Sequence, residues 1–193
     1  MEKKSFLYRF IGHLSTINRH RKEVRKLCFK SGLIKQGLLH DLSKYSFVEF
    51  FSGVKYYQGY RSPIDAEKED IGYSLGWLHH KGRNKHHPEY WIDSSLPEKA
   101  IIMPYQYAAE MVCDKMAAGI IYNGPNWTRE TQLNYYLKER KTSVVHPQID
   151  QFLLEVFTQV SQNGIDKTFT KKNIKSLYEK YCIRMEKLDE NKV

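Results

Sequence analysis

Cysteine is scarce in this chain of 193 residues, and the three that occur, Cys28, Cys113 and Cys182, lie far apart. They form neither a Cys-x-x-Cys pair nor an even-numbered framework, which argues against a disulfide-stapled scaffold. Isolated thiols are typical of proteins that stay in a reducing compartment. The sequence therefore predicts a cytoplasmic protein.

Long hydrophobic runs are also missing. No apolar stretch is long enough to span a bilayer, and the start of the chain, MEKKSFLYRFIGHL, holds only a short, interrupted apolar run. We therefore expect no cleaved signal peptide and no membrane partner.

Alternating apolar and polar residues, internal repeats and low-complexity segments do not occur either, so nothing in the sequence favours a β-sheet or a repeat protein. Helical periodicity dominates instead, and a chain of 193 residues suits one domain with its own core. The sequence predicts an all-α fold, a single-domain helical bundle over residues 1–193.

Acidic residues are outnumbered, with 22 Asp and Glu against 31 Lys and Arg, which gives a formal net charge of +9. A basic balance of this size favours anionic partners such as nucleic acid, nucleotides or phosphorylated metabolites. The sequence is also compatible with a homo-oligomer.

Helical patterning places several polar residues of interest. A long first helix carries His20 on an apolar face, and residues 31–45 are predicted to form a turn and a second helix that contains His40 and Asp41. Residues 64–80 are predicted to form one helix, residues 82–88 a loop, and residues 104–122 a further helix that carries Asp114. Two closing helices are expected over 146–164 and 170–188, with Thr168 or Thr170 as the N-cap of the second.

Polar side chains on these apolar faces need partners. Burial of an unpaired carboxylate costs several kcal/mol, so Asp41 and Asp114 must meet cations. Imidazoles and carboxylates that converge from different helices form a suitable site for a divalent ion, such as Mn, Fe, Co, Ni, Zn or Mg. Taken one at a time, these residues are more simply explained as core histidines, caps or ion-pair partners, and only their combination favours a metal site.

The order of these residues resembles the HD-domain superfamily of metal-dependent phosphohydrolases: a His, a His-Asp pair about one hairpin later, then an Asp on a later helix. Here they are His20, His40-Asp41 and Asp114. HDLSK is similar to the HD-x-G-K of one branch, and CDKMAAG is similar to the segment around the final Asp. The resemblance covers roughly residues 17–121 and leaves the helices of 122–193 without an assigned role. The chain also resembles a bacterial and phage family that carries the signature WLHHKGRNKHH.

The resemblance implies one or two divalent ions and a set of roles. Asp41 would bridge the ions or orient water, and Lys44 would reach the substrate phosphate; we count these two as the catalytic residues. The helical stripe of Ile71, Leu75 and Leu78 includes His79, so His79 and His80 are both candidates for a second metal. The expected metal ligands are His20, His40, Asp41, His79, His80 and Asp114.

The basic segment that follows supplies the expected substrate contacts. Arg83 suits bidentate contact with a phosphate, and Lys81 and Lys85 suit looser charge pairing. His86 and His87 either complete the second metal or contact the substrate, and we count them with the substrate-binding residues. Glu110, one turn before Asp114, is expected to orient a ligand.

These residues together predict a hydrolase in which a metal-activated water attacks a phosphate ester, most simply a nucleotide. Two alternatives stay open. One is a nucleotide or nucleic-acid binding protein on an HD-like scaffold without turnover, and the other is an HD protein with two irons that performs oxygen chemistry.

Overall fold

The computed structural model describes residues 4–183, which form helices joined by short turns. No strand occurs within this range, where an isolated antiparallel bridge pairs Ile92 with Ala100. The all-α prediction is therefore confirmed for the described residues. Their α-helices are α1 (Phe6–Lys30), α2 (Ile34–Leu39), α3 (Phe47–Tyr56), α4 (Pro63–Ile71), α5 (Leu75–Lys81), α6 (Tyr105–Asn123), α7 (Thr131–Glu139), α8 (Pro147–Asn163), α9 (Ile165–Thr168) and α10 (Lys171–Tyr178).

Shorter helical pieces join some of these helices. Three are 3-10 helices and one is a π-helical segment: Leu42–Tyr45, Pro88–Trp91, Gly124–Asn126 and Glu179–Ile183 respectively. None of the helices in residues 4–183 combines the length and the apolar character needed to cross a bilayer.

Helix α6 forms the centre of the core. Its Val112 and Met116 are fully buried, and the same core cluster contains Leu27 of α1 and Phe152 and Phe157 of α8. Residues of α7 and α10 belong to this cluster as well. The C-terminal helices therefore complete the core on which the N-terminal half depends, and the described chain is a single domain.

The second helix is shorter than the sequence suggests. Helix α2 ends at Leu39, and Asp41 takes a left-handed backbone conformation with φ 53° and ψ 30°. Asp41 is the one non-glycine residue with positive φ between residues 4 and 183. Aspartate tolerates this region better than most residues, and such conformations concentrate at functional sites. The break projects Asp41 into the bundle and lets Lys44 follow on a 3-10 turn.

The prediction of one helix over residues 64–80 is wrong. Gly72 ends α4 with φ 82°, and the Ser74 side chain accepts a hydrogen bond from the Trp77 backbone N–H to start α5. The new helix turns a different face inward: Gly76 and His80 are buried, whereas Leu75 and Leu78 are 54% and 50% exposed. The expected apolar stripe is therefore on the surface.

The closing helices were predicted more accurately. Helix α8 falls inside the predicted 146–164, and Thr170 is the N-cap of α10, since its hydroxyl accepts from the Asn173 backbone N–H. The predicted extension of the last helix over 184–188 lies outside the described residues.

Candidate metal centre

Three overlapping groups of ligand-type side chains meet inside the described part of the bundle. The smallest group, His40, His86 and Glu110, joins one imidazole from each of the two larger ones, which form two ligand sets. In each set the nitrogen and oxygen atoms lie within 4.8 Å of one another, close enough to hold a metal ion. The first ligand set is His20, His40, Asp41 and Asp114. The second ligand set is Asp41, His80, His86 and His87.

Asp41 belongs to both ligand sets and divides its two oxygens between them. Oδ2 lies 3.2 Å from His40 Nε2 and 3.8 Å from His20 Nε2. Oδ1 lies 3.3 Å from His80 Nε2 and 3.4 Å from His86 Nε2. A carboxylate placed in this way can bridge two ions.

Asp114 closes the first ligand set from α6. Its Oδ1 lies 2.8 Å from His20 Nε2 and 3.4 Å from His40 Nε2. Its Oδ2 lies 3.8 Å from His86 Nε2 of the second set. The first set is therefore assembled from α1, the break after α2, and α6, although the sequence predicted that His40 and Asp41 would lie within the second helix.

The donor atoms of the centre fit a metal ion. Buried polar atoms normally have a hydrogen-bond partner, yet six atoms here make no hydrogen bond to any described residue. They are Asp41 Oδ1 and the Nε2 atoms of His20, His40, His80, His86 and His87. All six belong to the ligand sets, and imidazole nitrogen with carboxylate oxygen is a donor combination that transition metals bind well.

Two carboxylates behind the ligands fix the orientation of the imidazole rings. Glu110 Oε1 lies 2.9 Å from His40 Nδ1 and 3.3 Å from His86 Nδ1. Glu49 Oε2 lies 2.7 Å from His80 Nδ1. A ring that donates its Nδ1–H to a carboxylate keeps the Nε2 lone pair free for a metal. Glu110 occupies the expected position, whereas the sequence analysis missed Glu49, although a lone acid within FVEFF was a usable signal.

His79, which the sequence analysis expected to be a metal ligand, lies outside both ligand sets. Its Nδ1 lies 2.6 Å from Glu49 Oε1, on the outer side of that carboxylate. The cause is the break before α5, because the inward face of the separate helix contains His80 instead. His79 therefore supports Glu49 and does not face an ion.

The loop of the signature segment turns its imidazoles inward. The Asn84 side chain donates to Ser43 Oγ and to the His80 carbonyl, both at 2.8 Å, and so fixes the loop against the break at Asp41. His86 is buried in the second ligand set and His87 lies beside it. Both histidines therefore belong to a group of side chains that could hold an ion, and their contact with a substrate stays a prediction.

The loop cations point the other way, contrary to their expected substrate contact. Lys85 stacks its ammonium 5.5 Å from the Tyr90 ring centre, and Arg83 donates weakly to the His79 carbonyl at 3.4 Å. Neither they nor Lys81 line the two cavities beside the centre. Hydrated cations are costly to bury, so the loop keeps them outside while its imidazoles face inward.

Charges at the centre stabilise one another. Burial by itself raises the pKa of Asp41, but His40 and Lys44 outweigh it and hold that pKa well below its usual value. Burial lowers the pKa of Lys44, but Asp41 and Asp114 outweigh it and raise that pKa. Asp41 is therefore an anion and Lys44 a cation at neutral pH, with Lys44 Nζ 2.5 Å from Asp41 Oδ2.

Binding of an ion at His40 would be linked to proton release. Burial lowers the pKa of His40, but Asp41 outweighs it, and the pKa lies well above its usual value. An ion that takes the His40 Nε2 lone pair must therefore displace a proton.

Two cavities adjoin the centre. The smaller cavity, about 210 Å³, contains Lys44 and is bounded by His13, His20, His80 and Asp114. The larger cavity, about 570 Å³, reaches the centre through His87 and Asp114 and extends to α7. The ligand sets are thus accessible from two sides.

Fold and site together define a class: an all-helical protein with a buried, histidine-rich centre whose side chains can hold metal ions. The chain belongs to DUF5662, described as a family of unknown function, whose model matches residues 9–159. That range includes every member of both ligand sets. Comparison with curated proteins and with solved structures gave no significant match.

Proposed function

We propose that this protein is a metal-dependent phosphohydrolase of the HD type that acts on a phosphate ester. The observation that carries the proposal is Asp41, whose two oxygens each face a separate group of imidazole Nε2 atoms without hydrogen bonds. The order His20, His40-Asp41, Asp114 supports it, since these residues resemble the HD pattern in sequence and lie in one ligand set.

The donor set favours transition metals such as Mn, Fe, Co, Ni or Zn over Mg, because five of its seven members are imidazoles. Ions held there would supply Lewis acidity, which lowers the pKa of a coordinated water and neutralises charge on a phosphate. The protein's own contribution is to hold the Nε2 atoms in place through Glu49 and Glu110.

Lys44 is the residue that we expect to bind the phosphate. It lines the smaller cavity together with His20 and Asp114, and its ammonium stays charged through its pairing with Asp41. An ammonium next to a metal centre can neutralise a non-bridging phosphate oxygen as negative charge develops. Lys44 thus takes the role that the loop cations were expected to share.

The direct test joins elemental analysis to a turnover assay. Purified protein, as isolated and after supplementation with each ion, should contain one or two transition metals per chain. Loaded protein should release phosphate from a panel of nucleoside monophosphates, cyclic nucleotides and generic phosphate esters. Asp41→Asn should lose metal and turnover together, whereas Asp93→Asn, at an exposed acid that hydrogen-bonds only its own turn, should keep both.

The outcomes separate the alternatives. Failure of every ion to bind near stoichiometrically would overturn the proposal. Stoichiometric metal with nucleotide binding and no phosphate release would indicate a binding protein on the same scaffold. Oxygen consumption by iron-loaded protein without phosphate release would indicate the oxygenase.

A further inference from the structure

The larger cavity has the size of a ligand-binding pocket. Pockets that enclose a small molecule measure about 300–1,000 Å³, and this cavity measures about 570 Å³, whereas the smaller one measures about 210 Å³. The larger cavity runs from His87 and Asp114 at the metal centre to Gln132 and Tyr135 on α7. A substrate whose phosphate lies at the centre would therefore place its organic part in the larger cavity.

Gln132 is the unusual residue in this wall. It is 2% exposed, and its side-chain amide makes no hydrogen bond to any described residue. The amide atoms are not enclosed by protein, because Gln132 lines the larger cavity. A ligand in this cavity could therefore supply the hydrogen-bond partners that the described residues do not.

Gly119 of α6 makes room for the amide. A Cβ at this position would lie 2.2 Å from Gln132 Oε1, a distance at which one of the two must move. Gly119 itself lines the larger cavity. Gly119 therefore leaves open the space that the amide occupies at the cavity wall, and a larger residue there would displace the end of the Gln132 side chain.

Aromatic rings surround the rest of the larger cavity. Tyr60, Tyr122 and Tyr135 line it with 67%, 50% and 61% of their surfaces exposed, and Trp77 lines the side nearest the centre. Aromatic rings of this kind bind planar heterocycles by stacking. Because these tyrosine rings are exposed and not packed in the core, their faces are available to a ligand.

The cations of the larger cavity already have partners. Lys115 Nζ lies 2.7 Å from Glu139 Oε1, Arg61 pairs with Glu69 at 2.6 Å, and Lys68 sits 5.4 Å from the Trp77 ring centre. This cavity thus offers stacking surfaces and a free amide, and two of its three cations are already paired with carboxylates, which disfavours a second phosphate group.

We infer that the larger cavity binds a planar heteroaromatic group, of the nucleobase type, and that Gln132 reads its hydrogen-bonding edge. An amide offers an acceptor and donors side by side, which is the pattern that complements the edge of a base. The inference rests on the proposed function for the position of the phosphate, and it narrows the substrate to a nucleoside that carries one phosphate group.

The experiment measures binding without turnover. Adenosine, guanosine, cytidine and uridine are titrated calorimetrically into the full-length protein and three variants. The wild type should prefer one base, and Gln132→Leu should weaken that base at least about tenfold and remove the preference. Tyr135→Leu, at an exposed ring, should weaken all four nucleosides alike, and the matched control Gln151→Leu, on the exposed side of α8, should change nothing.

Thermal unfolding separates recognition from a structural role. Because Gln132 makes no hydrogen bond to any described residue, Gln132→Leu should keep or raise the melting temperature while binding is lost. A lower melting temperature with unchanged nucleoside affinity would overturn the inference.

Two further outcomes distinguish this inference from the proposed function. If the protein hydrolyses phosphate esters but binds none of the four nucleosides, the inference that the larger cavity binds a base is overturned, whereas the proposed hydrolase activity is supported. If the protein binds nucleosides with a base preference that depends on Gln132 but has no hydrolytic activity, the inference about the larger cavity is supported and the proposed hydrolase function is overturned.

Discussion

The imidazoles at the centre are oriented by acids that contact their Nδ1 atoms. Glu110 orients His40 of the first ligand set and His86 of the second, whereas Glu49 orients His80 of the second set alone. Glu110 therefore affects both ligand sets and Glu49 only the second, although both acids are buried and both accept from Nδ1.

Substitution of the two acids should therefore change the metal affinities in different ways. Glu110→Gln should weaken binding of both ions, and Glu49→Gln should weaken one, each by about 10–100-fold, because outer carboxylates fix the orientation and basicity of the rings. Metal titration monitored by calorimetry or by cobalt absorption would measure the two affinities. Equal effects of both substitutions on both ions would contradict the assignment of the sets.

His13 gives a prediction about pH. Its ring lines the smaller cavity, and its Nδ1 is buried without a hydrogen bond to any described residue. Burial, with a contribution from Lys44, lowers its pKa from 6.5 to about 4. Gly53 leaves the space for the ring, since a Cβ there would lie 2.1 Å from His13 Nε2.

Because the folded pKa of His13 is below the unfolded pKa, only the unfolded chain takes the proton between these two values. Stability from this residue is therefore complete above pH 6.5 and is lost as the pH falls toward 4, by up to about 3 kcal/mol. Urea unfolding of metal-free wild type and His13→Gln at pH 7 and pH 4.5 would measure it. The variant should lose less stability on acidification, and equal losses would contradict the prediction.

Helix α5 reaches its position through a buried acid shared by three elements. Glu67 of α4 accepts hydrogen bonds from Ser52 of α3 and from Ser74, the N-cap of α5. The cap thus connects the start of α5 to the two helices beneath it. His80 lies less than two turns further along the same helix and inherits its position.

Ser74→Ala should therefore cost both stability and metal affinity. Loss of an N-cap costs about 1–2 kcal/mol, and a displaced α5 should weaken the ion held by the second ligand set. Thr170→Ala is the matched control, because it removes the N-cap of α10 far from the centre. It should lower the melting temperature to a similar extent without changing either metal affinity, and an effect of Thr170→Ala on metal binding would argue against this account.

The sequence indicated helices and ligand order well, but it did not indicate where α5 begins. His20, His40, Asp41 and Asp114 were identified because buried polar residues on helical faces are visible in one dimension. The break at Gly72 was missed because apolar spacing over 64–80 continued through it, and the resulting phase error put His79 on the inward stripe, where the structure buries His80. The capping serine at position 74 was the local signal for the new helix.

Contacts between segments that are distant along the chain could not be predicted from the sequence. The inward turn of His86 depends on Asn84 reaching Ser43, and the buried position of Gln132 depends on its approach to Gly119. Neither pair is related by helical spacing. Loop conformation and tertiary approach therefore decided the second ligand set and the larger cavity.

The molecule as a whole is built around α6, which bears Glu110 and Asp114 toward the centre and Val112 and Met116 toward the C-terminal helices. The segment 17–121 that resembles HD proteins is therefore not a separate folding unit. Its core is completed by Phe152 and Phe157 of α8.

A fragment that ends at Asn123 should fail to fold, because it exposes the apolar side of α6. The full-length protein should unfold cooperatively. Circular dichroism with urea titration would compare the two. Cooperative unfolding of the shorter fragment would show that the C-terminal helices are dispensable for the core.

Asp41 has one more consequence. Since one of its oxygens faces each ligand set, the two ions would not bind as independent events. If binding of one ion changes the affinity for the other ion by some factor, binding of the other ion must change the affinity for the first by the same factor. Lys44 also holds Oδ2, the oxygen that faces the first set, so an ion there competes with the ammonium. Filling the centre would in that way release the lysine, and the metal content of the protein would set how much positive charge is free to meet a substrate.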